Sequence, residues 1–186
     1  MLATACAGVC SHVWSQPAAA VCEVLERERS EALASAQAQR IEGAARRYLT
    51  ACWNERPKAL VAVALEEVAA GKRMSGRYSE ALEASNQCLQ YQYEAIGCHA
   101  EKALALAGMR LLGEAMDVVE SGRAVGAKEL ARARQDKEGG RTIRRKERSQ
   151  EEADQRLRNG DLKESLTKRG LDRLTEIGSR INGAKK

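Results

Sequence analysis

Six cysteines and two histidines carry most of the reactive chemistry available to this 186-residue chain. Cys6, Cys10, His12 and Cys22 are zinc-ligand types, and three cysteines with one histidine can complete a tetrahedral site. Their spacing, C-x3-C-x-H, is not that of a ligand knuckle, and the cluster falls in a stretch with the character of a leader. The sequence therefore predicts no metal site. Cys98 beside His99 has the residue types of a thiol nucleophile and its base. Adjacent residues on a helix point about 100° apart, so the two cannot share a proton, and both read as structural. His12 and His99 alone give little material for general acid–base catalysis. No Gly-rich phosphate loop, no histidine–carboxylate metal helix and no nucleophile elbow is present. No catalytic residue and no cofactor is predicted, and the expected class is a non-enzyme.

The compartment bears on the same cysteines. Residues 2–20, LATACAGVCSHVWSQPAAA, are small and mostly apolar and end in an Ala run that suits signal-peptidase cleavage before Val21, but they lack a basic n-region. Either Met1 lies inside a longer export signal, or residues 1–20 are an irregular extension. The first reading leans towards an exported protein, periplasmic or secreted; the second leaves it cytoplasmic. Removal at Ala20 would leave Cys22, Cys52, Cys88 and Cys98, an even number that suits two disulfides in an oxidising compartment. Cys88 and Cys98 lie five residues either side of Tyr93, the expected centre of a turn between antiparallel helices. Positions equidistant from such a turn tend to face each other within disulfide reach; the alternative is two small core side chains. Cys22 can meet Cys52 only if the chain folds back near residues 37–43.

The elements that must position these residues are helices. Hydrophobic residues make up 44% of the chain and charged residues 31%, yet aromatics supply only 3% and there is no Phe, so the core must be built from small and aliphatic side chains. Strong helix formers dominate over the β-branched and aromatic residues that favour strands. Only Pro17 and Pro57 interrupt the sequence. Residues 21–53 place Val21, Val24 and Leu25 on one apolar stripe and Ile41, Ala44, Ala45, Leu49 and Cys52 on a later one, with Gly43 marking the bend between them. Pro57, suited to a first helical position, starts the next helix. No stretch approaches the roughly 18 apolar residues of a membrane-spanning helix.

From Ala59 an internal repeat emerges at a shift of 34 residues: Glu80-Ala81-Leu82 falls on Glu114-Ala115-Met116, Tyr78 on Leu112, and Ala69 on Ala103. That period belongs to helix-turn-helix repeats. Residues 65–90, LEEVAAGKRMSGRYSEALEASNQCLQ, resemble a tetratricopeptide repeat, with Leu65 and Ala69 at the first helix's packing positions, Gly76 in the turn, Tyr78 after it, and Ala81 and Cys88 at small sites. The unit at 96–129 is a degraded copy, with Arg110 in place of the turn Gly and Lys102 at an apolar site. Gly160-Asp161-Leu162, beyond the Gly139-Gly140 break, matches the turn Gly76-Arg77-Tyr78 and suggests a third hairpin within 146–179. The alternative there is a solvated helix with pairs such as Glu164 and Lys168.

The resemblance implies an all-α fold of stacked antiparallel hairpins, a right-handed α-solenoid. Capping helices occupy 21–56, repeats 57–130, and a basic, charged helical tail 131–186. It also implies a concave binding surface lined by the first helix of each unit: Glu66, Ala70 and Arg73, then Ala100, Leu104 and Ala107. The expected function is a scaffold or adaptor for a protein partner, such as an assembly or secretion factor, holding a peptide or helix in that groove. Net charge is about −3 over residues 1–120 and about +8 over 121–186, so the alternative is a nucleic-acid-associated protein. Its working part would be Arg141, Arg144, Arg145, Lys146 and Arg148. The lack of aromatics for base stacking and the acidic residues that follow weigh against that alternative.

Overall fold

A computed structural model describes the backbone of residues 18–145 and 150–184, with side chains for 20–138 and 157–184. The described residues form seven helices and no strand: α1 (Ala18–Ala34), α2 (Ala38–Cys52), α3 (Lys58–Met74), α4 (Tyr78–Tyr91), α5 (Ile96–Gly108), α6 (Leu112–Arg145) and α7 (Gln150–Ala184). Each packs on its neighbours in sequence, and two further contacts, α3 on α5 and α5 on α7, bring alternate helices side by side. None is long and apolar enough to cross a membrane.

The small-residue composition sets how closely these helices approach. α2 buries Ile41, Ala44, Ala45, Tyr48 and Cys52, one face at helical spacing. α5 is buried nearly all round, from Ile96 through Leu106, because it has neighbours on four sides. Its Ile96, Ala100, Ala103 and Leu106 join Ala115 and Val119 of α6 and Leu174, Ile177 and Ile181 of α7 in one apolar cluster. Leu65, Ala69, Ala81, Cys88, Ala103 and Ala115 are all buried.

The predicted turn recurs at the predicted interval. Gly76 has φ 75° and Arg110, 34 residues later, has φ 64°. Around Gly76, the Arg77 N–H donates to Lys72 O (3.0 Å) and the Gly76 N–H to Arg73 O (2.9 Å). Around Arg110, Leu111 N–H donates to Leu106 O (2.9 Å) and Arg110 N–H to Ala107 O (3.0 Å). Both are left-handed helix caps that satisfy the last carbonyls of α3 and α5, and the second adopts that geometry without glycine.

Three sequence expectations are corrected. Gly43 lies within α2, and the reversal between α1 and α2 comes earlier, at Ser35–Gln37. Gly139-Gly140 continues α6. Gly160-Asp161-Leu162 continues α7, so residues 150–179 form one helix and no third hairpin turns there. A glycine inside a helix costs about 1 kcal/mol, but α6 supplies compensation: a Cβ at Gly160 would press on Lys137 and the Ala133 carbonyl. Lys137 Nζ meanwhile holds Asp161 (2.7 Å) and Glu164 (2.8 Å). Lys168 also pairs with Glu164 (2.9 Å), as the sequence suggested.

Both cysteine pairs are joined. The sulfurs of Cys22 and Cys52 lie at bonding distance with Cα atoms 5.7 Å apart, and those of Cys88 and Cys98 with Cα atoms 6.1 Å apart. The first bridge ties α1 to the end of α2, which the early reversal makes geometrically available. The second closes the short connection between α4 and α5.

The caps yield a stability expectation. A non-glycine residue in the left-handed region costs about 1–2 kcal/mol, partly offset by the extra unfolded-state entropy of glycine, about 0.4–1 kcal/mol. Arg110→Gly should therefore raise the thermal midpoint by about 1–4 °C for a domain of this size, measured by circular dichroism, while Arg110→Ala leaves it near wild type. A lowered midpoint for the glycine variant would mean that the Arg110 side chain contributes more than its backbone strain costs.

Candidate functional site

The alternate-helix contacts leave a concavity of about 370 Å³ between α3, the entry of α5 and α7. Its floor is Ala59, Ala62 and Val63 of α3 with Ala95 and Ile96 at the start of α5; Leu166, Arg169 and Arg173 of α7 form one wall, and Leu33 of α1 lies at its far edge. Apolar lining with a few placed charges is the usual make-up of a binding cleft.

Three of the charges that line it, Glu66, Glu67 and Arg173, are held by other charges of the chain. Arg173 Nη1 donates to Glu66 Oε1 at 2.9 Å, and its Nη2 donates to Glu101. Glu101, on α5, is completely buried, and its second oxygen accepts from Arg73 Nε at 2.7 Å. Two anions and two cations thus alternate along Glu66, Arg173, Glu101 and Arg73, linking α3, α5 and α7. Next to them, Arg29 of α1 grips Glu67 of α3 through Nε (2.6 Å) and Nη2 (2.8 Å), with both side chains buried. The same guanidinium lies 4.4 Å from the centroid of the Tyr48 ring. A buried carboxylate without such a partner would cost several kcal/mol, so these pairs fix which helices sit side by side.

Glycine makes the longest link available. Glu66 must pass α5 to reach α7, and it does so over Gly97, where a Cβ would overlap its carboxylate. Burial pushes the Glu66 carboxyl up to about 7; Arg173 pulls it down, and the neighbouring carboxylates Glu101 and Glu67 push it further up. Burial works against the charge on Arg173, but Glu101 and Glu66 outweigh it and hold its pKa above the ordinary value.

Of the six groove residues named from the sequence, Glu66 lines the cleft and Arg73 holds Glu101. Ala70 is half-buried on α3. Ala100 is completely buried, and Leu104 and Ala107 pack against the cluster that contains Leu174, Ile177 and Ile181. None of these three lines the concavity, which lies nearer the start of α5. Arg141, Arg144 and Arg145 fall in the last turns of α6, whose side chains there are not described; Lys146 and Arg148 lie outside the described residues, as do Cys6, Cys10 and His12. His99 is buried, with its Nε2–H donating to the Tyr93 carbonyl at 3.0 Å, and burial lowers its pKa. Among the described residues no cluster of His, Cys, Asp or Glu is arranged to hold a metal.

Sequence reasoning did not single out Arg173, Glu101, Arg29 or Glu67. Each sits among other charged residues and reads as part of a solvated face. The nearest signal was glycine within helices, at Gly97 and Gly170, which marks close helix approach. Compared with protein-family models, curated proteins and solved structures, the chain matches none of them.

The raised pKa of Glu66 has a definite sign. Between about 4.5 and about 7 the folded protein holds a proton that the unfolded chain has released, so stability falls as pH rises through that window. Glu66→Gln cannot titrate. Its thermal midpoint should gain on wild type as pH rises from 5 to 7 and run parallel above that, in melts taken across the range. Parallel curves from 5 to 8 would contradict the assignment.

Proposed function

We propose that the chain is a non-enzymatic protein-interaction scaffold of tetratricopeptide-like character, whose hairpins stack as a short α-solenoid and present the α3–α5–α7 cleft to a peptide or helix of a partner. One observation supports this most: the cleft has an apolar floor with Ala59 exposed on it, while the charges beside that floor, Glu66, Glu67 and Arg173, are satisfied by the chain's own helices and Arg169 on the wall is left exposed. An apolar floor between rigid helices suits the helix-in-groove mode of recognition. The recurrence of the same cap at Gly76 and Arg110 supports the repeat character. This cleft shares Glu66 with the groove expected from the sequence and lies nearer the start of α5; Ala100, Leu104 and Ala107 do not line it.

A non-catalytic role agrees with the fate of the two residues best placed for chemistry. Cys98 is bonded to Cys88, and His99 is buried with its Nε2–H committed to a carbonyl. Neither offers a free nucleophile or an accessible base.

The test uses Ala59, which is exposed and lines the cleft floor. Displayed random peptides are selected on the purified full chain, and the winners are titrated against wild type and Ala59→Trp. The tryptophan fills the floor from an exposed position, so binding should fall by about tenfold or more while helicity and thermal midpoint stay near wild type. Selected peptides that bind both proteins equally would remove the cleft as the working surface.

A further inference from the structure

The chemistry of the partner follows from how charge is distributed around α7. We infer that the cleft and the α7 face leading into it take an acidic amphipathic helix of another protein, with leucine-like residues one turn apart flanked by Asp or Glu. The inference rests on the reading of the cleft as a peptide site and adds the class of peptide.

The apolar strip does not end at the cleft. Leu162 lies one helical turn before Leu166 on the same side of α7 and is 54% exposed. A ligand that covers both residues is longer than the cleft itself, which favours a peptide over a small molecule. A cleft of about 370 Å³ admits side chains rather than a folded surface. Every described element is a helix, so there is no sheet edge for an extended strand to join, and a helix with side chains at i, i+4 and i+7 is the form that fits.

Charge segregation selects the sign. The acidic residues of this stretch of α7, Asp161 and Glu164, are drawn to Lys137 of α6. The opposite side, continuing the Leu162–Leu166 strip by helical spacing, carries Arg158 and Arg169. Both are exposed, and neither has an ion-pair partner among the described residues. Lys163 reaches Glu129 only at 3.7 Å. Two guanidinium groups without an ion-pair partner among the described residues flank two leucines and suit carboxylates beside aliphatic side chains; of the acids that line the cleft, Glu66, Glu67 and Glu129 are paired and Glu94 is exposed.

The experiment uses the full chain with its disulfides intact and reads fluorescence anisotropy at low salt. One probe is a designed helix of about 16 residues with Leu on one face and Glu beside it; the second is the same peptide with Lys for each Glu; the third is a single-stranded oligonucleotide of similar length. The Glu probe should bind at least about tenfold more tightly than the Lys probe. Arg158→Glu combined with Arg169→Glu, both at exposed positions, should reverse that order, and Ala59→Trp should weaken the Glu probe. Equal affinity for the two peptides, no binding of either, tighter binding of the oligonucleotide, or displacement of the Glu probe by self-association of the chain would each overturn the acidic-helix assignment. Lys-probe binding that Ala59→Trp abolishes overturns the acidic class and leaves the peptide cleft standing. Glu-probe binding indifferent to Ala59→Trp removes the cleft itself.

Discussion

A carboxylate with no access to water has to be neutralised where it sits, and Glu101 is such a carboxylate, on the most buried helix of the molecule. It is neutralised from both sides, by Arg73 of α3 and Arg173 of α7. Because α3 and α7 are separated by α5, one acidic side chain specifies the order of three helices. Replacing such a network by apolar side chains of similar shape can be neutral, whereas removing one member strands a charge. The network is therefore better understood as fixing which arrangement forms than as the main source of stability, which comes from the apolar contacts of Ile96, Leu106, Val119 and Leu174.

That arrangement creates the cleft. The entry of α5 presents Gly97 and Ile96, and the Glu66–Arg173 link spans it. The Cys88–Cys98 bridge closes the connection that carries Gln92, Glu94 and Ala95 along the rim, and Arg29 with Glu67 holds α1 against the other side. These boundaries of the concavity are thus tied by a disulfide, a buried ion pair and a partly buried one, so a ligand would meet a preformed surface and lose little in ordering it.

The helical class and the main boundaries were legible in the sequence because they depend on local features. Pro57, Gly76 and the 34-residue shift mark where helices begin and turn, and Cys88 with Cys98 could be placed about Tyr93 by symmetry alone. Arg110 shows the limit of residue-type reasoning: it adopts the left-handed turn although its side chain disfavours that conformation. Gly139-Gly140 and Gly160 show the reverse, glycines that look like breaks but lie within α6 and α7, where Gly160 admits close packing. The site was only partly legible. Glu66 and Arg73 were expected as groove residues, whereas the structure joins them to Arg173 and Glu101, which lie 107 and 28 residues away. Nothing local in a charged helix tells which of its arginines will be buried.

If Arg173 and Glu101 act as one unit that docks α7 on α5, the losses caused by removing each must be coupled. A double-mutant cycle of Arg173→Met and Glu101→Gln, read as unfolding free energy in denaturant, tests it most directly. The coupling energy should be at least about 1 kcal/mol, with the double variant more stable than the sum of the single losses implies. Additive losses, within about 0.3–0.5 kcal/mol, would show that the two side chains do not depend on each other and would contradict the placement of α7.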